Sequence, residues 1–312
     1  MARAQNSPLA AQILRNLSAG DINGAKQILA QYRAALGVTS DYLEGLSWIG
    51  RAELAQQHFA AAIENAHEVR QLAAAQLKAR KLDADASLPT ALGASIEVEA
   101  QTLAAEGRRD EAVAFLKTEL SQWRGTSIYQ RIQKNLNLLT LTGKPAPALD
   151  VSHWIGDRKP ETLAQHAGHP VLLFFWAHWC ADCKVEVAVI RKIREEYGPR
   201  GLVVVAPTQH YGYIAGGQDA TPAMETPYIR DVFAKYYSRI GAIDVPLSEK
   251  NFSVYGVSTT PTVVLIDGHG VVRLYNPGKI PYEQLAAKIA PLLHPAQHAS
   301  HGSSHPQPHQ TD

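Results

Sequence analysis

Cys180 and Cys183 are the only cysteines in the 312-residue chain, and two residues separate them. Directly before them runs the apolar stretch Val171 to Ala177, which reads as a buried strand. Directly after them, Val187, Ile190, Ile193 and Tyr197 recur at mostly helical spacing, predicting a helix that reaches about Tyr197. A strand feeding a Cys-x-x-Cys at a helix start is the layout of a thiol–disulfide redox site, and it sets the frame for the rest of the chain.

The chemistry needs that layout. A thiolate is the attacking species, and a helix N-terminus stabilises it with unpaired N–H groups and partial positive charge. The earlier and more exposed Cys180 is expected to attack a partner's disulfide. Cys183, one turn deeper, is expected to resolve the mixed disulfide. The competing readings are a structural disulfide or half of a zinc site. Structural zinc takes four ligands, and the chain holds no second cysteine pair.

Three segments carry a resemblance. Leu173-Phe174-Phe175-Trp176-Ala177-His178-Trp179-Cys180 is similar to the active-site strand of thioredoxin-fold proteins. Ser258-Thr259-Thr260-Pro261-Thr262-Val263-Val264-Leu265-Ile266-Asp267 resembles their proline loop and following strand. Gly143-Lys144-Pro145-Ala146-Pro147-Ala148-Leu149 resembles the opening segment of the TlpA/ResA-like branch, the extracytoplasmic thiol–disulfide oxidoreductases. The match covers about residues 143–293 and implies a thioredoxin-like α/β fold, a central mixed sheet flanked by helices.

The resemblance also implies roles. Cys180 and Cys183 match the redox-active pair. Pro261 matches a proline that is cis in this fold and faces the disulfide, and the Thr260 backbone would pair with a substrate segment. Trp179 would shield the disulfide beside that substrate-binding surface. Glu186, three residues after Cys183 and so on its helix face, would move a proton to or from the Cys183 thiol. Burial beside an apolar pocket would raise its pKa; the alternative is an ordinary solvated helix charge. Electrons would come from another dithiol protein, and no bound cofactor or metal is needed.

The chain also departs from its relatives. Phe174 stands where thioredoxins carry a buried aspartate, which excludes a proton relay there. Asp182 occupies the position before the second cysteine, often proline in the branch, and its charge should favour the disulfide over the dithiol. His178 could oppose that when protonated, but is expected to be an exposed bystander. Trp176 reads as core packing.

Thirty basic and twenty-nine acidic residues give a net charge of +1 with no basic cluster, which argues against nucleic acid or an anionic membrane as main partner. No apolar run approaches the roughly 20 residues of a membrane span. Gln5, Asn6, Ser7 and Gln12 stand where a signal peptide would be apolar, so no export signal is read, whereas the resemblance points outside the cytoplasm.

Length predicts about two domains. Residues 1–142 read as an all-α, tetratricopeptide-like array of helical hairpins, the alternative being a plain helical bundle; either could bind a protein partner or mediate self-association, and neither need do so. Gly20, Gly50 and Gly107 are each followed five residues later by alanine (Ala25, Ala55, Ala112), and nine residues later by Leu29, Phe59 or Leu116. Each glycine is expected to open a turn. Thr140 to Ala148 reads as the linker into the second domain, residues 143–293. There Val171–Phe175, Leu202–Ala206, Val263–Ile266 and Val271–Leu274 read as strands. An insertion at about 207–258 is expected to hold a helix from about Pro222 to Arg239 and a short strand at Asp244–Leu247. Its Tyr211 and Tyr213 either line a substrate groove or simply pack. The His-rich tail, residues 294–312, reads as disordered.

The expected activity is disulfide exchange with protein partners, as a reductant. One alternative is a peroxiredoxin-like peroxidase, which wants threonine where Ala177 stands. Others are a copper carrier using the cysteines and the histidine tail, and a scaffold in which the helical domain does the main work.

Overall fold

The computed structural model describes residues 7–293. The expectation of a disordered His-rich tail at 294–312 lies outside the described residues. The first half of the chain is helical: α1 (Pro8–Ser18), α2 (Ile22–Leu36), α3 (Ser40–Ala55), α4 (Phe59–Leu77), α5 (Ser87–Ala105), α6 (Arg109–Gln122) and α7 (Tyr129–Thr140). Three-residue turns join α1 to α2, α3 to α4 and α5 to α6, so consecutive helices fold back as hairpins. Each turn has one residue in the left-handed region: Gly20 (φ 79°), Gln57 (φ 61°) and Gly107 (φ 81°).

The second hairpin corrects the expected repeat. Gly50 lies inside α3, and Ala55 is exposed at that helix's end. The turn is made by Gln57 instead, a residue that sequence reading does not flag because its side chain does not favour positive φ. Counted from the true turns, the residues five positions on are Ala25, Ala62 and Ala112, all fully buried. Nine positions on stand Leu29, Ala66 and Leu116, also buried. The small alanine lets paired helices approach closely, and any larger side chain there would overpack the hairpin.

The second half is built on a four-stranded sheet of β2 (Val171–Phe175), β3 (Val203–Val205), β5 (Thr262–Ile266) and β6 (Val272–Pro277), in the order β3-β2-β5-β6. β2 pairs in parallel with β3, Leu172 opposite Val204, and antiparallel with β5, Phe174 opposite Val263. Every residue of β2 is buried because both faces are covered. Leu172 and Phe174 point into one core with Val187, Ile190 and Ile193 of α8 (Ala181–Tyr197) and Leu285 and Ile289 of α11 (Tyr282–Ile289). Leu173 and Phe175 point into another, with Phe252 and Tyr255. The four expected strands and the expected helix are all present within a few residues at their ends.

The insertion is ordered. Its long helix α9 (Pro222–Val232) continues into a π-helical turn (Phe233–Tyr237) and a 3₁₀ turn (Ser238–Ile240) rather than running evenly to Arg239. The expected short strand is β4 (Val245–Pro246), paired antiparallel with β1 (Trp154–Ile155). The helix α10 (Glu249–Val254) then leads back to the sheet.

The two halves meet along α7 and its exit. Residues 143–146 run beside β6, with Gly143 N–H donating to Val272 O at 2.8 Å and Val272 N–H to Lys144 O at 2.9 Å. Gly256 presses on α7 so closely that a Cβ there would lie 2.5 Å from the Lys134 nitrogen. Among the described residues, no helix is long and apolar enough to cross a membrane.

Candidate active site

β2 delivers the chain to the end of the sheet, and Cys180 becomes the N-cap of α8. Its sulfur accepts the Cys183 N–H at 3.0 Å, so the helix terminus contributes a donor to the sulfur as well as its dipole. Cys180 and Cys183 form a disulfide with Cα atoms 5.3 Å apart. Cys180 retains 3% of its surface and Cys183 none, so Cys180 is the more accessible sulfur.

The Thr260–Pro261 peptide bond is cis, and the Thr260 carbonyl oxygen lies 3.4 Å from Cys180 Sγ. In the disulfide that sulfur carries no proton, so the approach is a contact; in the dithiol it becomes a hydrogen-bond acceptor for the thiol. The Thr260 hydroxyl is buried without a hydrogen-bond partner among the described residues. Trp179 is 39% exposed beside the pair, its ring edge-on to Tyr211 at 5.6 Å. Trp176 is core packing as expected, its indole N–H bonded to Ala206 O, and Phe174 is fully buried.

Glu186 is not a solvated helix charge: it is 2% exposed on the Cys183 face of α8. Its carboxyl accepts one protein hydrogen bond, from Ile280 N–H at 3.0 Å. Burial raises its pKa above the ordinary glutamate value, Asp182 adds to the rise, and the Ile280 amide and Lys279 oppose it. Asp182 itself is exposed and pairs with Lys279 at 3.0 Å, which blunts its effect on the sulfurs.

His178 overturns its expectation. It is 2% exposed, not a surface bystander, and its Nε2 donates to Glu225 Oε1 at 3.1 Å. Burial lowers its pKa, with Glu225 opposing, so its cationic form is disfavoured next to the disulfide. Tyr211, Tyr213 and Tyr228 stand edge-on around the imidazole at 5.2–5.3 Å. Tyr211 and Tyr213 therefore pack around His178. The buried partner Glu225 also accepts the backbone N–H groups of Tyr211 at 2.6 Å and Gly212 at 2.9 Å. Sequence reasoning passed over Glu225. The available signal was a glutamate in the first turn of a helix, where carboxylates meet free amides.

A disulfide at the N-terminus of a helix, under a proline loop and on a mixed sheet, defines a thioredoxin-fold thiol–disulfide oxidoreductase. The comparisons agree: a thioredoxin-like domain family matches residues 159–292. The thiol:disulfide interchange protein DsbE of Pseudomonas fluorescens is 32% identical over 161 residues, covering 50% of this chain and 80% of that protein. DsbE of Xylella fastidiosa is 27% identical over 162 residues (51% and 73%), and the thiol–disulfide oxidoreductase ResA of Bacillus anthracis 27% over 170 residues (54% and 88%). The chain belongs to the TlpA/ResA-like family of thiol–disulfide oxidoreductases and is a protein-disulfide oxidoreductase.

Proposed function

We propose that the chain reduces disulfides of protein partners outside the cytoplasm, through its Cys180-Ala181-Asp182-Cys183 site. The single observation that carries the direction is how little the surroundings favour a thiolate. A strong oxidant stabilises its reduced, thiolate form. Here both sulfurs are buried beside Trp176 and Ala177 in the apolar core, and burial disfavours the cationic form of His178, two residues before Cys180. The Cys183 N–H and the helix dipole are the main compensation. The disulfide is therefore the favoured state, and the dithiol a good donor of electrons.

In the reaction, the Cys180 thiolate attacks one sulfur of the partner's disulfide and expels the other as a thiol. Cys183, deprotonated by Glu186, then attacks Cys180 and releases the partner's second thiol. Thr260 and Pro261 position the incoming segment, and Trp179 covers the sulfurs. A separate dithiol protein restores the reduced pair. The extracytoplasmic site of action rests on the TlpA/ResA resemblance, and labelling intact cells with a membrane-impermeant thiol reagent tests it. The mechanism is tested by reacting the Cys183→Ser variant with a peptide disulfide. A stable mixed disulfide at Cys180 is expected; no adduct would refute the assigned order of attack.

A further inference from the structure

The cleft between the helical half and the proline loop has a chemistry of its own. It encloses about 580 Å³, and its walls include Arg51 of α3, Glu97 of α5, Arg131 and Lys134 of α7, and Ser258 and Thr259 of the proline loop. Thr259 is the immediate neighbour of Thr260, whose carbonyl faces Cys180 Sγ. One wall of the cleft therefore stands a single residue along the chain from the backbone that faces the disulfide. The close seat of Gly256 on α7 fixes the two walls relative to each other.

Its charges do not balance. Glu97 is shared among Lys134 at 2.8 Å, Arg131 at 3.0 Å and Arg51 at 3.7 Å, leaving three cations around one carboxylate. Arg51 is the least satisfied. Its Nε is buried with no hydrogen-bond partner among the described residues, its guanidinium lies 4.5 Å over the Trp48 ring, and its burial disfavours the charge more than Glu97 restores it. A carboxylate entering the cleft would add a second acceptor beside this incompletely compensated guanidinium.

We propose that this cleft binds an acidic side chain of the protein substrate, a few residues from its reactive cysteine on the flank that passes Thr259. The helical half then selects substrates and the disulfide processes them. The inference rests on the disulfide-reductase reading above.

The test uses the pre-reduced full-length protein and homodisulfides of three short peptides. Each peptide carries one cysteine, with aspartate, asparagine or lysine on either flank. The rate constant for peptide reduction is expected to be about fivefold higher for the aspartate peptide than for the asparagine peptide, on one flank only, the size of one partly screened ion pair. The lysine peptide should be slowest, and the preference should fade in high salt and in both Arg51→Gln and Lys134→Gln. The two variants guard against one failing to fold. Equal rates for the three peptides, or a preference kept in both variants, would overturn the inference while leaving the redox reading intact. No reduction of any peptide by the wild-type protein would overturn both.

Discussion

Two buried carboxylates flank one disulfide and are built for opposite ends. Glu186 lies under Cys183 with one amide donor, and burial lifts its pKa. Glu225 lies beside His178, and its oxygens accept three hydrogen bonds, two from backbone amides and one from the imidazole. Equal burial therefore comes with unequal numbers of hydrogen-bond donors. The poorly satisfied carboxyl, Glu186, is the one proposed to exchange a proton with Cys183. The saturated one fastens the 207–220 loop and α9 against the active-site strand.

The contrast breaks most visibly at Glu225. Glu225→Ala leaves three buried donors unpaired and should cost about 3–5 kcal/mol in a denaturant titration. The pH profile of disulfide exchange in the folded variant should keep its wild-type shape. A changed profile with unchanged stability would reverse the two assignments.

Glu186→Gln should do the converse. It keeps an oxygen for the Ile280 amide but removes the titrating proton, so exchange limited by Cys183 should slow by about a hundredfold and lose its dependence on the raised pKa. The stability signature has a definite sign. The folded chain holds the Glu186 proton more tightly than the unfolded chain, so below the ordinary glutamate pKa the group carries no penalty. Unfolding free energy then falls as pH rises through the raised value, and the glutamine variant should lack that fall. Urea titrations at several pH values measure it.

The smallest effect belongs to the exposed Lys279–Asp182 pair. Lys279→Gln leaves Asp182 uncompensated near the sulfurs, which favours the disulfide. The reduction potential should drop by under about 20 mV, the worth of a surface ion pair. A rise in potential would show that Asp182 does not act on the sulfurs as a charge.

Much of the site was legible because its determinants are local. The continuous apolar run of β2, the helical spacing after Cys183 and the three-residue step to Glu186 all lie within one strand–helix unit. His178 was misjudged because what buries it, Glu225, stands 47 residues away in the insertion. The helical repeat was found but set one hairpin out of register at Gly50. The true turn rests on Gln57, a residue type that does not signal positive φ. The π-helical turn after α9 was likewise invisible, although it places Tyr237 against Trp176 with ring centres 4.2 Å apart.

The central claim is that the Cys180–Cys183 pair is a reducing couple, and its equilibrium potential in dithiol/disulfide buffers tests this most directly, with Cys183→Ser as control. A reversible two-electron transition is expected near or below about −270 mV, the value for thioredoxin. A value towards about −120 mV would make the protein an oxidant and contradict the assigned direction, and no reversible transition would contradict the redox role itself.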